Sequence, residues 1–318
     1  MNLKIKFVDF WPGFDVRQNI FVDILSAEYN VVISDHPDYL IYSVFGFKNL
    51  EYESCVRIFY TGESFTPDFN MCDYAIGFDI LDFGDRYIRI PLYMLYGIEK
   101  LAVAKQIEPE LVLNRKFCSF VVSNPGSPMR NRFFKLLSEY KQVDSGGRYE
   151  NNIDGPVNDK ISFISNYKFN IAFENCCYDG YTTEKLIEPM FVNTLPIYWG
   201  NRKVENDFNL KSFINASDYP SLEALVARIV ELDKNDEEYL AVLLEPWLKN
   251  HNSLNWKERL LAFFANIFNK PLEEQKYLTS FGYSQNYRDE MKLMFRLMSN
   301  KMIYRKQREK WNPLNWFK

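Results

Sequence analysis

The sequence predicts an α/β protein made of two doubly wound, Rossmann-type domains followed by C-terminal helices. Three observations carry that expectation. A chain of 318 residues exceeds what one hydrophobic core usually serves. Short β-branched and aromatic runs alternate with helical segments in both halves, and beyond Ser221 the pattern turns helical throughout. At 47% hydrophobic and 25% charged residues, the composition is that of a folded enzyme and excludes a disordered chain.

The runs Leu3–Val8, Asn30–Asp35, Tyr39–Gly46, Val56–Glu63 and Tyr74–Asp79 each close on, or lead directly into, Gly, Asp or Asn, the pattern of buried parallel strands. A mixed segment from Gly97 to Lys116 bridges to a second set. There Lys116–Asn124 reads as a strand, Met129–Tyr140 as a helix, and Lys168–Asn175 and Leu195–Gly200 as strands. In Ser221–Asn235 and Asn255–Asn269, apolar residues recur at spacings of three and four, with charges on the other face. Met291, Met294, Phe295, Met298 and Met302 extend that spacing. The expected domains are residues 1–113, 114–270 and a C-terminal helical segment, 271–318.

The 27 Phe, 21 Tyr and 6 Trp fill two cores or line clefts that stack sugar rings or bases, and composition alone leaves both readings open. Five cysteines without a Cys-x-x-Cys pair point to a reducing compartment. No run reaches the roughly 18 to 20 apolar residues of a membrane span, and the N-terminus is no signal peptide, so the expected location is cytoplasmic. The last eighteen residues set Lys301, Arg305, Lys306, Arg308, Lys310 and Lys318 against Glu309 alone, on a chain whose net charge is −4. The acidic body excludes nucleic acid as a partner. The basic tail, with Trp311, Trp316 and Phe317, has a composition that lies on an anionic membrane surface or packs back on the protein.

In Phe169–Lys185 a strand, a polar turn through Gly180 and a helix beginning near Thr182 form an anion site. The first turn of a helix presents unpaired N–H groups and the positive end of its dipole. Lys185 adds a full charge, and the Glu184 carboxylate accepts hydrogen bonds from hydroxyls. Taken alone, Thr-Glu-Lys is also an ordinary helix surface. Three ordered blocks decide the context: Tyr167–Asn175, Tyr181–Leu186 and Leu195–Gly200. They resemble the donor-binding signature of the α-1,3/1,4-fucosyltransferases of glycosyltransferase family 10, and the likeness extends over roughly residues 56–220.

That resemblance implies a GT-B-like fold, two domains facing a cleft, and GDP-fucose as donor. It assigns Ser123, Asn124, Arg130, Asn175, Tyr181, Glu184 and Lys185 to the donor, with Arg130 and Lys185 on the diphosphate and Glu184 near the ribose or fucose. Those assignments suit the chemistry. Guanidinium and ammonium groups stabilise the charge that gathers on the β-phosphate as the glycosidic bond breaks. The sequence has no Asp-x-Asp and no Cys/His cluster, so no metal site and no required cofactor are expected, with stimulation by Mn2+ or Mg2+ left open. Glu63, just past a strand end, is implied to be the general base. The implied reaction is a single inverting displacement in which a hydroxyl of a lactosamine-type oligosaccharide attacks the anomeric carbon, and Glu184 also steadies oxocarbenium charge. The α-1,4 linkage, or a non-catalytic nucleotide-sugar or glycan-binding protein, are the competing readings. Cys176-Cys177-Tyr178 in the donor loop, Pro189 inside the following helix and the short connection from Tyr93 to Phe117 depart from the family pattern.

Overall fold

The computed structural model describes residues 2–310, with side chains through 299. It consists of two compact units that interleave along the chain: residues 1–77 and 82–88 with the segment from Leu260 onward, and residues 78–81 with 89–259. The boundary expected at 113/114 falls just before the first strand of the second sheet. Residues 89–113 group with the second unit, where Tyr93 packs edge-on to Phe208 at 5.0 Å.

The first unit contains β1 (Asn2–Val8), α1 (Ile20–Leu25), β2 (Asn30–Ile33), β3 (Tyr39–Tyr42), β4 (Val56–Tyr60), β5 (Tyr74–Gly77) and most of β6 (Tyr87–Arg89). Its sheet runs β2-β1-β3-β4-β5-β6, and the pairs from β2 to β5 are parallel. Burial follows position. β1 buries alternate residues, Leu3, Ile5 and Phe7, whereas β3, β4 and β5 are buried at every residue. This is why the central strands read as unbroken apolar runs.

The second unit contains α2 (Pro109–Leu113), β7 (Lys116–Phe120), α3 (Pro128–Tyr140), β8 (Val143–Ser145), α4 (Lys160–Ile164), β9 (Tyr167–Phe173), α5 (Glu184–Phe191), β10 (Leu195–Trp199), β11 (Ile214–Asn215), α6 (Leu222–Lys234) and α7 (Asp236–Leu244). Its sheet, β11-β10-β9-β7-β8, is parallel throughout. β9 lies at its centre and buries all seven residues. Pro189 does not break α5. The helix ends two residues later, and the Pro189 carbonyl accepts from Val192 and Thr194 N–H, which closes its last turn.

α8 (Trp256–Phe268) and α9 (Tyr283–Lys310) follow. Phe268 of α8 packs edge-on to Tyr39 at 4.5 Å, and Phe295 of α9 meets Phe47 at 5.0 Å, so α8 from Leu260 and α9 belong to the first unit. Among the described residues no helix is long and apolar enough to cross a membrane. Trp311, Trp316 and Phe317, the aromatic residues of the expected membrane-contacting tail, lie outside the described residues. The short strands β6, β8 and β11 were not anticipated, because two or three residues are too few to show a period of two.

Candidate active site

The second unit gathers its polar groups at the carboxyl edge of its sheet, where parallel α/β sheets carry their ligands. β9 ends on Phe173, and Glu174 extends the ladder by one bond, its N–H donating to Trp199 O at 2.8 Å. The Glu174 side chain is fully buried. Its carboxylate accepts from Thr183 N at 2.8 Å and from the Thr183 hydroxyl at 2.8 and 3.0 Å, and lies 3.3 Å from Lys185 Nζ. Thr183 also caps α5, its Oγ1 accepting from Lys185 N. One buried carboxylate therefore fixes the start of the helix and its first lysine.

Lys185 bridges two acids, with Glu184 Oε1 also at 3.3 Å. Burial alone would lower its pKa, but Glu174 and Glu184 outweigh burial and raise it. Burial raises the Glu174 carboxyl above the usual carboxylate range. Burial also pushes Glu184 up, yet the charges of Lys185 and Lys160 overcome it and hold Glu184 below its ordinary value. The start of α5 is thus a compact acid–base–acid cluster, half-buried at Glu184 and Lys185.

Arg130 arises from the first turn of α3, behind Pro128 at the helix start. It is 1% exposed and forms part of the site's wall. Nη1 donates to Asn175 Oδ1 at 2.9 Å, and Nη2 to Asn124 O at 2.7 Å, tying the loop after β7 to the end of β9. Its Nε has no partner. Burial lowers its pKa from the ordinary arginine value. Ser123, Asn124 and Asn175 are exposed around it. Asn124 Oδ1 accepts from Gly126 N at 2.8 Å and so shapes the turn. Tyr181 is buried, its ring edge-on to Phe78 at 5.2 Å.

The structure thus brings Asn124, Arg130 and Asn175 together, and separately Thr183, Glu184 and Lys185, along one edge. Sequence reasoning passed over Glu174, Thr183 and Asn201. Buried Asn201 accepts from Gly180 N at 2.6 Å and donates to Thr182 Oγ1 at 3.0 Å, which locks the donor loop. Gly180 has φ +87°, and a Cβ there would come within 2.4 Å of Phe78 O, so only glycine fits. The one legible signal was a carboxylate placed directly after an unbroken apolar strand, a position that makes it either exposed or paired.

Glu63 belongs to the first unit. It stands in the loop after β4, at the carboxyl end of that strand, and its side chain is exposed. Thr61 Oγ1 accepts from Glu63 N at 2.9 Å, and Glu63 O accepts from Phe65 N at 2.7 Å, so the backbone of this turn is fixed while the carboxylate stays open. Among the described residues no cluster of His, Cys, Asp and Glu has the makings of a metal site.

With both edges defined, likeness to known proteins can be weighed. Residues 5–96 match the model of the α-(1,3)-fucosyltransferase FucT N-terminal domain, and residues 113–270 match the glycosyltransferase family 10 (fucosyltransferase) C-terminal model. The chain belongs to glycosyltransferase family 10. It is 36% identical over 314 residues to α-(1,3)-fucosyltransferase FucT of Helicobacter pylori, covering 83% of this chain and 66% of that relative. A crystal structure of an α1,3-fucosyltransferase with GDP-fucose superposes with a TM-score of 0.73 at 32% identity, covering 85% of this chain and 91% of that one. A further structure of an α1,3-fucosyltransferase gives a TM-score of 0.75 at 33% identity, covering 85% and 90%. The family 10 fold expected from the three sequence blocks is therefore the fold observed.

Proposed function

We propose that this chain transfers L-fucose from GDP-fucose, with inversion, to the 3-hydroxyl of N-acetylglucosamine or glucose in a lactosamine-type oligosaccharide. The observation that carries this reading is the cluster of Glu174, Lys185 and Glu184 at the start of α5, with Arg130 in the adjoining wall. A departing nucleoside diphosphate gains negative charge, and Lys185 with the N–H groups of a helix start stabilises that charge more in the transition state than before it. Glu63 is the proposed general base. An open carboxylate on a fixed turn is suited to meet an incoming hydroxyl and take its proton during attack on the anomeric carbon. No covalent intermediate is needed, because inversion takes a single displacement.

The acceptor proposal rests on exposed aromatic side chains at the same carboxyl edge of the sheet as Glu63. Trp11, Phe45 and Phe65 are 44%, 48% and 53% exposed and follow the carboxyl ends of β1, β3 and β4. Exposed rings beside a carboxylate provide the apolar faces on which sugar rings stack. We also propose that catalysis requires no metal, the cations of Arg130 and Lys185 carrying the charge. Activity that survives exhaustive chelation is the expected result.

Replacing Glu63 by Gln decides the central claim. In a GDP-release assay with GDP-fucose and N-acetyllactosamine, the variant should lose about 10² to 10⁴-fold in kcat while its melting temperature is unchanged, since the side chain is exposed. Wild-type turnover by this variant would rule Glu63 out as the base. A parallel panel of type 1 and type 2 disaccharides reads the linkage, and transfer to type 1 acceptors alone would replace the 3-hydroxyl assignment with the α-1,4 reading.

A further inference from the structure

The first unit contains a second charged cavity, set at the opposite end of its sheet from Glu63. Its volume is about 370 Å³, and it lies between the start of β4 and the first turns of α9. Arg57, the second residue of β4, lines it together with Lys276, Arg288 and Lys292. The two arginines are buried, at 4% and 6% exposure. Arg57 Nε donates to Tyr52 O at 2.8 Å, but its Nη1 is buried without a partner. Arg288 is held by the carbonyls of Asn70 and Thr279 and by Gln285 Oε1, and Lys276 by Ser54 O, all uncharged groups.

The acids that line the cavity are Asp73, Glu53 and Asp289, set against four cations. Asp73 accepts from Arg57 N, Tyr277 N and Leu278 N, and so spends its oxygens on backbone. Glu53 is paired with Lys292, and Asp289 accepts from Gln285. Among the described residues no carboxylate stands within ion-pair distance of Arg57, Arg288 or Lys276. Two buried guanidiniums sharing one cavity repel each other. Burial, and next the charge of Arg57, lower the pKa of Arg288, while Asp289, Asp73 and Glu53 offset part of the effect. Four cations against three acids leave the lining net positive, and the buried, unpartnered Arg57 Nη1 is costly until an acceptor joins it.

We propose that this cavity is an anion site that receives a phosphate group, with the Arg57 guanidinium as its floor and Arg288 and Lys276 as its sides. Guanidinium forks match the geometry of phosphate oxygens. The volume exceeds that of a bare phosphate ion and leaves room for the group esterified to it. The ester has two sources with this shared chemistry, a soluble phosphate ester or a phospholipid headgroup. The second source is made relevant by Leu293, Met294, Leu297 and Met298, which stand more than half exposed on α9 directly after Lys292. Occupancy would clamp α9 to β4, the strand whose far end leads to Glu63. The site is separate from the donor edge and from the transfer reaction.

The test uses the full chain saturated with GDP, so that phosphate cannot report on the donor edge. Thermal unfolding is followed with inorganic phosphate against sodium chloride at matched ionic strength. At ten times its Kd, phosphate should raise the midpoint by about 3 °C, and the gain should vanish in Arg57→Gln and Lys276→Gln. Lys276 is on the surface, so its variant folds even if the strand substitution does not. Co-sedimentation with vesicles of phosphatidylglycerol or of phosphatidylcholine separates the sources. Arg57- and Lys276-dependent binding to the former identifies the headgroup, whereas phosphate stabilisation without vesicle binding identifies a soluble ester. Equal stabilisation by phosphate and chloride, or stabilisation that persists in Lys276→Gln, overturns the proposal.

Discussion

Replacing Glu174 by Gln removes one charge from the interior of the second unit and leaves its shape nearly intact. In the native protein this carboxylate is fully buried, accepts from Thr183 N and Oγ1, and lies 3.3 Å from Lys185 Nζ. The amide retains one acceptor oxygen for Thr183 but points its NH2 at Lys185 or at a Thr183 donor, so one donor faces another. Breaking a buried pair of this kind costs about 3 kcal/mol. The Lys185 side chain, 19% exposed, is little screened by water, so most of that figure should stand. For a domain of this size the midpoint should fall by roughly 6 to 12 °C. Lys185 would also lose the partner that fixes its rotamer, so KM for GDP-fucose should rise and kcat fall, together by about 10² in kcat/KM. Calorimetry and donor titrations in a GDP-release assay measure both quantities. If Glu174→Gln melts within a degree of wild type and keeps its donor KM, then Glu174 does not hold the site together.

Two further substitutions test the surroundings. Gly200→Ala places a Cβ 2.5 Å from Glu174 Cγ, so it should cost about 1 to 3 kcal/mol by overpacking and raise the donor KM, whereas a neutral result in urea unfolding would mean that the Glu174 side chain is not packed so close to Gly200. Lys105 donates to Leu243 O at 2.6 Å above the Trp247 ring, and burial pushes its pKa down to about 7. Between that value and 10.5 the unfolded chain binds the proton that the folded chain has released, so the stability of wild type relative to Lys105→Met should climb as pH rises through that window. Urea melts at pH 6, 8 and 10 measure the difference, and a constant difference contradicts the shifted group.

The central strands of both sheets were legible because buried parallel strands are written as unbroken apolar runs. β3, β4, β5 and β9 all bury every residue, and all had been read from the sequence. The start of α5 was legible from Thr182 to Lys185, since helix starts have a local chemistry. What escaped was the layer that holds those groups. Thr183 has a local role as the cap of α5, but the bonds that tie it to Glu174 and Asn201 to Thr182 span nine and nineteen residues, and no local pattern encodes those. Arg130 stood out in the sequence through its Ser-Asn-Pro block, but not as a buried residue. Its burial comes from the carbonyl of Asn124 and the amide of Asn175, which the fold brings together across two strands.

The same layer raises a question of charge that leads to a last prediction. Before a donor arrives, the positive charge of Lys185 is shared by two carboxylates, and one of them, Glu184, is the half-buried partner that a ligand can reach. On the proposed reading, a diphosphate bearing two or more negative charges would draw Lys185 from Glu184 while Glu174, fully buried, keeps the lysine in place. Glu184 would then repel the adjoining nucleotide, and the same reading gives the carboxylate a role toward the sugar. Glu184→Gln should accordingly bind GDP more tightly, by about tenfold for the removal of one nearby like charge, yet transfer fucose more slowly, because a neutral amide gives less support to developing oxocarbenium charge. Its pH behaviour follows from the same group. With its folded-state pKa held below 4.5, Glu184 contributes stability that is present above that value and is lost as pH falls through the folded pKa, so the difference between wild type and variant should shrink in acid. Calorimetric titration with GDP, set beside single-turnover transfer rates, separates the two effects. Weaker GDP binding by Glu184→Gln would show that this carboxylate grips the nucleotide rather than the sugar.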